Sequence, residues 1–415
     1  MMINELYSQK VKKTILSVTN NKITGILKSD TAKTGLRLYN DGIIGVAGAI
    51  GVYDEAKLAN RAKQMLNFKV PYNCEPAGNI ERTVDLSDSF ALSDEDFIKT
   101  SETLLEKLAK QYPQFAVNHQ IIYNETETRL RNSNGANLVF KDKTVKVVLL
   151  MKHKESKNMM DSLGISFSRG YDLDDVFNTV SQTCAGYEEK VSLPEEKMPV
   201  VFLYEHDDIL AKFLTDLNGR MMGTGASLFT DKIGQKLFAD DFSLCVERGP
   251  LDYYSSFFDA EGTVLPGDSF ALIENGVLKS PYSSKKIAKE FGYAATGSAG
   301  GEYDSVPDTF PTSINVRASG KTIKELLGGR KAIYVVFASG GDFTPQGEYA
   351  SPVQCAFLFD GARLLGRLPQ ISIRSNVFDM FGKDFIGLSA DGLSKHNPFK
   401  YLAMDMNVVT IGGWL

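Results

Sequence analysis

The sequence predicts an α+β protein of two domains. Residues 1–195 read as an N-terminal helix-plus-antiparallel-sheet domain, and residues 196–415 as a C-terminal, mostly β, barrel-like domain. Three observations carry this reading. In the first half, helical periodicity over 54–68 and 93–112 alternates with hairpin-forming strands. In the second half, short apolar strands follow one another through Gly turns, the pattern of a barrel or sandwich. Between the halves, 188–198 is a charged link containing Pro194.

With 415 residues, two domains are the natural division at about 150 residues or more each. Hydrophobic residues make up 43%, enough for a substantial core. The net charge of −5 argues against a surface built to neutralise phosphates, and so against direct nucleic-acid binding. Lys279, Lys285, Lys286 and Lys289 form the densest basic patch and read as a solvated helix face. Cys74, Cys184, Cys245 and Cys355 are far apart and never paired as Cys-x-x-Cys. They are expected to be reduced and mostly packed, in a cytoplasmic protein. The first ten residues lack a basic segment followed by an apolar core, so no secretory signal is expected. No window approaches a run of about 18 apolar residues, so no membrane span is expected.

Taken in order, 5–17 is a helical candidate, 23–28 and 35–39 are strands, and Asn40, Asp41 and Gly42 form a hairpin turn. A strand over 43–52 precedes the first amphipathic helix, and 71–79 is loop-like. Ser93 to Asp96 forms a capping box, and Phe97, Leu104, Leu105, Leu108 and Tyr112 make the stripe of the helix, with Ser101 in the gap. Strands follow at 117–123, 126–131, 136–140 and 144–151. Turns at 132–135 and at Asp142 and Lys143 would make an antiparallel meander. A helix is expected over 172–184.

The chain pivots on 199–237. Val200 to Leu203 is a buried strand, and Asp207 or Asp208 can cap the helix that follows. Ile209, Leu210, Phe213, Leu214 and Leu217 recur at helical spacing, with Lys212 and Asp216 facing away. A Gly-rich loop through Gly219, Gly223 and Gly225 comes next; it lacks the Gly-Lys-Ser/Thr of a phosphate loop. Beyond it, strands are expected at 242–247, 269–273, 277–280, 311–318, 332–339, 353–359 and 408–411, with a helix at 283–291. The loop from Thr296 through Gly297, Ser298, Ala299 and Gly300 to Gly301 reads as mobile or ligand-contacting.

Several of these stretches, in this order, resemble the TldD/PmbA family, called modulators of DNA gyrase and linked to proteolysis. They are Gly35 to Leu38 with Gly42 and Gly45, the turn 132–135, the strand and helix at 199–217, and Gly262. They continue with 296–301, then Gly341, Asp342 and Phe343, and end with 410–413. Catalytic, TldD-type members carry His-Glu-x-x-x-His on the pivot helix, where it binds a metal and supplies a general base. Aligned from 227–235, those positions fall at Leu210, Ala211 and Thr215. A cysteine ligand is expected after an apolar-Gly-apolar step; here Ser389 follows Ile386, Gly387 and Leu388. Leucine and alanine offer no lone pair to a zinc-like ion, and hydroxyls are poor ligands for it. The chain is thus similar to the PmbA (TldE) branch, which lacks the motif.

The resemblance implies a non-catalytic subunit with no cofactor of its own. Its partner would be a TldD-like metalloprotease subunit, and it would handle unfolded peptides. Gly297, Ser298, Gly300, Gly341, Asp342 and Phe343 are the peptide-binding candidates. A homodimer is expected when the chain is alone, supported by strand edges that an incompletely closed β domain must cover. The alternative is a stand-alone metallopeptidase with an atypical zinc site near His206, beside Glu205, Asp207 and Asp208. A nucleic-acid or gyrase-binding modulator is the third reading, disfavoured by the charge. His119, His153 and His396 read as structural residues. Ser298 lacks the Gly-x-Ser-x-Gly elbow of a nucleophile.

Overall fold

The computed structural model describes residues 2–88, 92–156, 162–168, 171–203, 209–250, 255–393 and 400–413. The N-terminal half is one sheet with helices on it. Its strands are β1 (Ile3–Thr19), β2 (Lys22–Asn40), β3 (Ile43–Ile50), β4 (Val70–Pro71), β5 (Ile80–Asp85), β6 (Phe115–Asn132), β7 (Ala136–His153) and β8 (Ser162–Ser168). They lie in the order β4-β3-β2-β1-β6-β7-β5, with β8 also against β7. All pairings are antiparallel except β5 with β7.

Helix α1 (Glu55–Met65) starts at Asp54, whose carboxylate accepts from Ala56 N and Lys57 N. It buries Leu58 and Ala62 against Leu36, Leu38 and Ala47 of β2 and β3. Helix α2 (Asp94–Gln111) is capped as its sequence implies: Asp96 N donates to Ser93 Oγ at 3.0 Å. Ser101 fills the gap in its stripe, and its Oγ donates to Phe97 O at 2.7 Å. Helix α3 (Leu173–Glu188) is capped by Asp172 and packs beside α2 on the sheet.

The C-terminal half contributes β9 (Lys197–Leu203), β10 (Leu244–Glu247), β11 (Ser269–Glu274), β12 (Val277–Leu278), β13 (Ala299–Gly300), β14 (Asp308–Thr309) and β15 (Ile314–Val316). These are followed by β16 (Ala332–Ala338), β17 (Asp342–Phe343), β18 (Glu348–Phe359), β19 (Leu364–Arg367), β20 (Ile371–Asn376), β21 (Phe385–Gly392) and β22 (Lys400–Thr410). The order β16-β9-β22-β20-β18 closes on itself because β18 also pairs with β16, giving a five-stranded barrel. Alternation along each strand divides its side chains. Val200, Ile333, Leu358, Leu402 and Met404 belong to the core inside the barrel. Their neighbours Val201, Tyr334, Phe357 and Ala403 join Phe97, Leu104, Val176 and Val180 in the core shared with the N-terminal helices.

Four expectations are corrected. Residues 5–17 lie in β1, not in a helix. Thr14, Leu16 and Val18 are buried in alternation, and the strand has a partner on each side, so pairing overrides the weak helical spacing. The four strands expected over 117–151 are two long ones, and Asp142 and Lys143 continue β7 in register with Thr126 and Glu125. Gly219 is no loop residue: Asn218 caps the short helix α5 (Gly219–Gly223), which follows α4 (Ala211–Asp216). Finally, the barrel of the C-terminal domain is closed rather than open-edged. Sheet ends among the described residues include β4 and β5 in the N-terminal domain, β12 and β15 of the four-stranded sheet, and β17 beside the barrel.

The two halves touch closely. Gly35 is needed at one contact, because a Cβ there would overlap the carbonyl oxygen of Tyr303.

Candidate functional site

The positions that the resemblance pairs with metal ligands have structural employment. Leu210 is fully buried in the barrel-side core, Ala211 is half-buried and Thr215 is exposed. One turn on, the Phe213 ring meets Phe229, Phe238, Phe242 and Phe381 at centroid distances of 5.7, 5.3, 5.5 and 4.8 Å. Lys212 and Asp216, expected to face away, are buried and paired at 3.1 Å. The reason is the following turn, which folds back over them: Leu228 N donates to Asp216 Oδ2 at 2.8 Å and Ser227 Oγ to Asp216 O at 2.7 Å. His206, with Glu205, Asp207 and Asp208, lies outside the described residues, as does His396.

Ser389 sits in β21, fully buried. Its hydroxyl donates to Asp391 O at 2.6 Å and accepts from Tyr401 N at 3.0 Å, so it repairs the irregular pairing of β21 with β22. Tyr401 is in register with Leu203, the last residue of β9. Strand register therefore places Ser389 at the barrel end from which the chain leaves toward Leu210. No three His, Cys, Asp or Glu side chains converge among the described residues. His153 packs between Phe115 and Tyr187, at 5.1 and 5.5 Å, and faces Glu188 at 3.6 Å; His119 adopts a left-handed backbone in β6. Leucine, alanine, threonine and serine do not fit a zinc ion.

Beside Ser389, α3 and the barrel end border a half-open cavity of about 250 Å³, lined by Thr183, Tyr334, Phe359, Asp391 and Tyr401 among others.

The six peptide-binding candidates separate into two groups. Gly297 and Ser298 are buried: Arg248 Nε donates to Gly297 O at 2.7 Å, and Thr296 Oγ1 to Ser298 Oγ at 3.0 Å. Gly300 lies in β13 under Phe310. This segment is packed, not an open loop. By contrast, Gly341, half-buried against Ser351, leads into Asp342 and Phe343, which form β17, a strand paired only with β18, with Asp342 exposed and the Phe343 ring 4.7 Å from Tyr349.

Where the halves meet, the structure assembles polar residues that sequence reading missed. Arg37 and Glu5, each 1% exposed, pair at 3.2 Å, and Arg37 also donates to Ala260 O. Tyr39 OH donates to Glu5 Oε1 at 2.8 Å and Asn132 Nδ2 to Glu5 Oε2 at 3.1 Å. Across the seam, Glu261 accepts from Tyr72 OH at 2.6 Å and from Lys285 N at 2.7 Å. That amide opens the helix Lys285–Phe291, where a carboxylate is favoured by the free N–H groups and the dipole. Asp259 accepts from the backbone of Glu261, Thr263 and Ala299. A charged residue within an apolar strand, Arg37 between Leu36 and Leu38, was the available signal.

Burial and the nearby Asp259 push the Glu261 carboxyl up to about 7. The Tyr72 hydroxyl is raised too, by burial and then by Glu261. A carboxyl raised on folding binds its proton more tightly in the folded state. Its contribution is therefore fully present below the unfolded value and is lost as pH rises through about 7. Stability is expected to fall across roughly pH 4.5 to 7 by a few kcal/mol from this group. Glu261→Gln should remove that part of the slope in urea unfolding measured from pH 4 to 8. Parallel wild-type and variant curves would refute it.

Comparison with known proteins agrees with this architecture. The family described as PmbA/TldA metallopeptidase C-terminal domain matches residues 195–398. An uncharacterized protein from Methanocaldococcus jannaschii is 23% identical over 366 residues, covering 84% of this chain and 82% of the relative. A metalloprotease TldD homolog from Buchnera aphidicola is 26% identical over 206 residues, 47% of this chain and 41% of that one. In fold, the chain is similar to TldE from Thermococcus kodakarensis, with a TM-score of 0.82 and 16% identity over 99% of this chain and 97% of the other. No helix among the described residues is long and apolar enough to cross a membrane. With the motif order from Gly35 to Gly413 and the barrel behind it, residues 195–398 belong to the PmbA/TldA metallopeptidase C-terminal domain family, and the chain as a whole is similar to the TldD/PmbA proteins.

Proposed function

We propose that this chain is the non-catalytic, TldE-like subunit of a two-part metalloprotease system that handles unfolded peptides in the cytoplasm. Its partner would be a TldD-like subunit carrying His-Glu-x-x-x-His. The observation that carries the reading is the employment of Leu210 and Ser389: one fills the core and the other pairs strands. A catalytic zinc needs three protein ligands, an open position for water and a base beside it. Within this reading, the edge of β17 offers main-chain groups of Gly341, Asp342 and Phe343 to an extended peptide. Gly297, Ser298 and Gly300 contribute by fixing the packed segment around β13. When expressed alone, the chain is a homodimer in this proposal, with the N-terminal sheet edge at β4 available for pairing.

The purified chain is expected to hold no stoichiometric zinc and to leave unfolded casein intact. Activity should arise when a TldD-like subunit is co-purified with it. One zinc per chain by elemental analysis, with peptidase activity that His206→Ala abolishes, would overturn the proposal in favour of a stand-alone enzyme.

A further inference from the structure

We infer that the cavity between α3 and the barrel end binds a compact organic ammonium group, of the kind carried by a lysine side chain or by the first residue of a peptide. Three of the rings that line it form one aromatic corner: Tyr334 lies 5.8 Å from Phe359 and 6.0 Å from Tyr401, and Phe359 lies 6.0 Å from Tyr401. The faces of such rings attract a cation, the more so when water is excluded.

Asp391 lines the same space. Its Oδ1 accepts from Ile323 N at 2.8 Å, and no cation pairs with it among the described residues. The Tyr401 hydroxyl also has no hydrogen-bond partner among the described residues. Burial, and then Asp391, push its pKa up, so it stays a neutral dipole. No Lys or Arg is among the described lining residues, which disfavours an anion. Arg363, on the neighbouring turn, is 79% exposed and drawn to Asp360 at 3.7 Å.

The plainer account is a core corner in which Asp391 serves the start of the helix Ile323–Leu327. That explains one carboxylate oxygen. It leaves unexplained why three rings and an acidic residue border an open space of about 250 Å³. This volume takes several waters or one side-chain-sized group, and is below the size of pockets for larger ligands.

The test uses the full chain alone, so it stands apart from the partner proposal. Pentylammonium and leucine amide are titrated by calorimetry and saturation-transfer NMR, each against its neutral counterpart, pentanol and N-acetyl-leucine amide. At least one ammonium compound should bind about tenfold more tightly than its counterpart. Which one binds distinguishes a side-chain amine from a peptide N-terminus. Asp391→Asn keeps an acceptor for Ile323 N and should weaken that binding about tenfold, with the thermal midpoint unchanged. Equal affinity for charged and neutral probes, unchanged binding in the asparagine variant, or no binding at tens of millimolar would overturn the inference.

Discussion

Arg37→Ala is expected to cost about 3–5 kcal/mol of folding stability, because it strands a buried carboxylate. Glu5 is as enclosed as Arg37, and the pair sits where β1 and β2 meet the segment carrying Ala260. Removing the guanidinium leaves Glu5 with two neutral donors, Tyr39 OH and Asn132 Nδ2, and also leaves Ala260 O without its donor. An unpaired buried charge is the costly outcome; removing both charges is far milder. The double variant Glu5→Gln, Arg37→Met should therefore recover much of the loss, a coupling that a double-mutant cycle reads directly. Urea unfolding followed by circular dichroism supplies the numbers. A loss below about 1 kcal/mol for the single variant would place the pair among solvent-screened ones and sink the argument.

Phe213→Ala should cost about 3–5 kcal/mol as well, through a different term. Its ring stands among four other phenyl rings and joins α4 to the segment around Phe381. Truncation opens a cavity that the close-packed neighbouring rings cannot fill. Phe213→Leu, which keeps most of the volume, should lose less than half as much. Comparable losses for the two variants in thermal unfolding would mean that the ring cluster collapses onto the gap. The contrast matters for function, because α4 is the element onto which the resemblance maps the metal motif of catalytic members. Here its energetic role is to anchor a core.

Much of the architecture was legible because it rests on local chemistry. Asp54, Ser93 and Asp172 announce helix starts through their side-chain acceptors. The turns at Asp41 and Gly42, at Gly135 and at Asn275 and Gly276 adopt the positive φ that their residue types favour. The apolar run Val200 to Leu203 predicted a buried strand but could not say what covers each face, the barrel interior on one side and α2 and α3 on the other. Leu210, Ala211, Thr215 and Ser389 were singled out by the family resemblance, and ligand chemistry then said what such residues cannot hold.

What the sequence could not decide was pairing between distant segments. Nothing local tells Lys212 and Asp216 that a turn at Ser227 and Leu228 will cover them, so a polar face became a buried ion pair. Arg37 and Ala260 are 223 residues apart, and Tyr72 and Glu261 are 189 apart, yet each pair is joined by a hydrogen bond. The cavity corner likewise draws Tyr334, Phe359, Asp391 and Tyr401 from four separate strands. Periodicity and capping fix what a segment becomes, because those energies lie within a few residues. Barrel closure and the seam between the halves fix which charges lose their water, because burial is a property of the assembled chain.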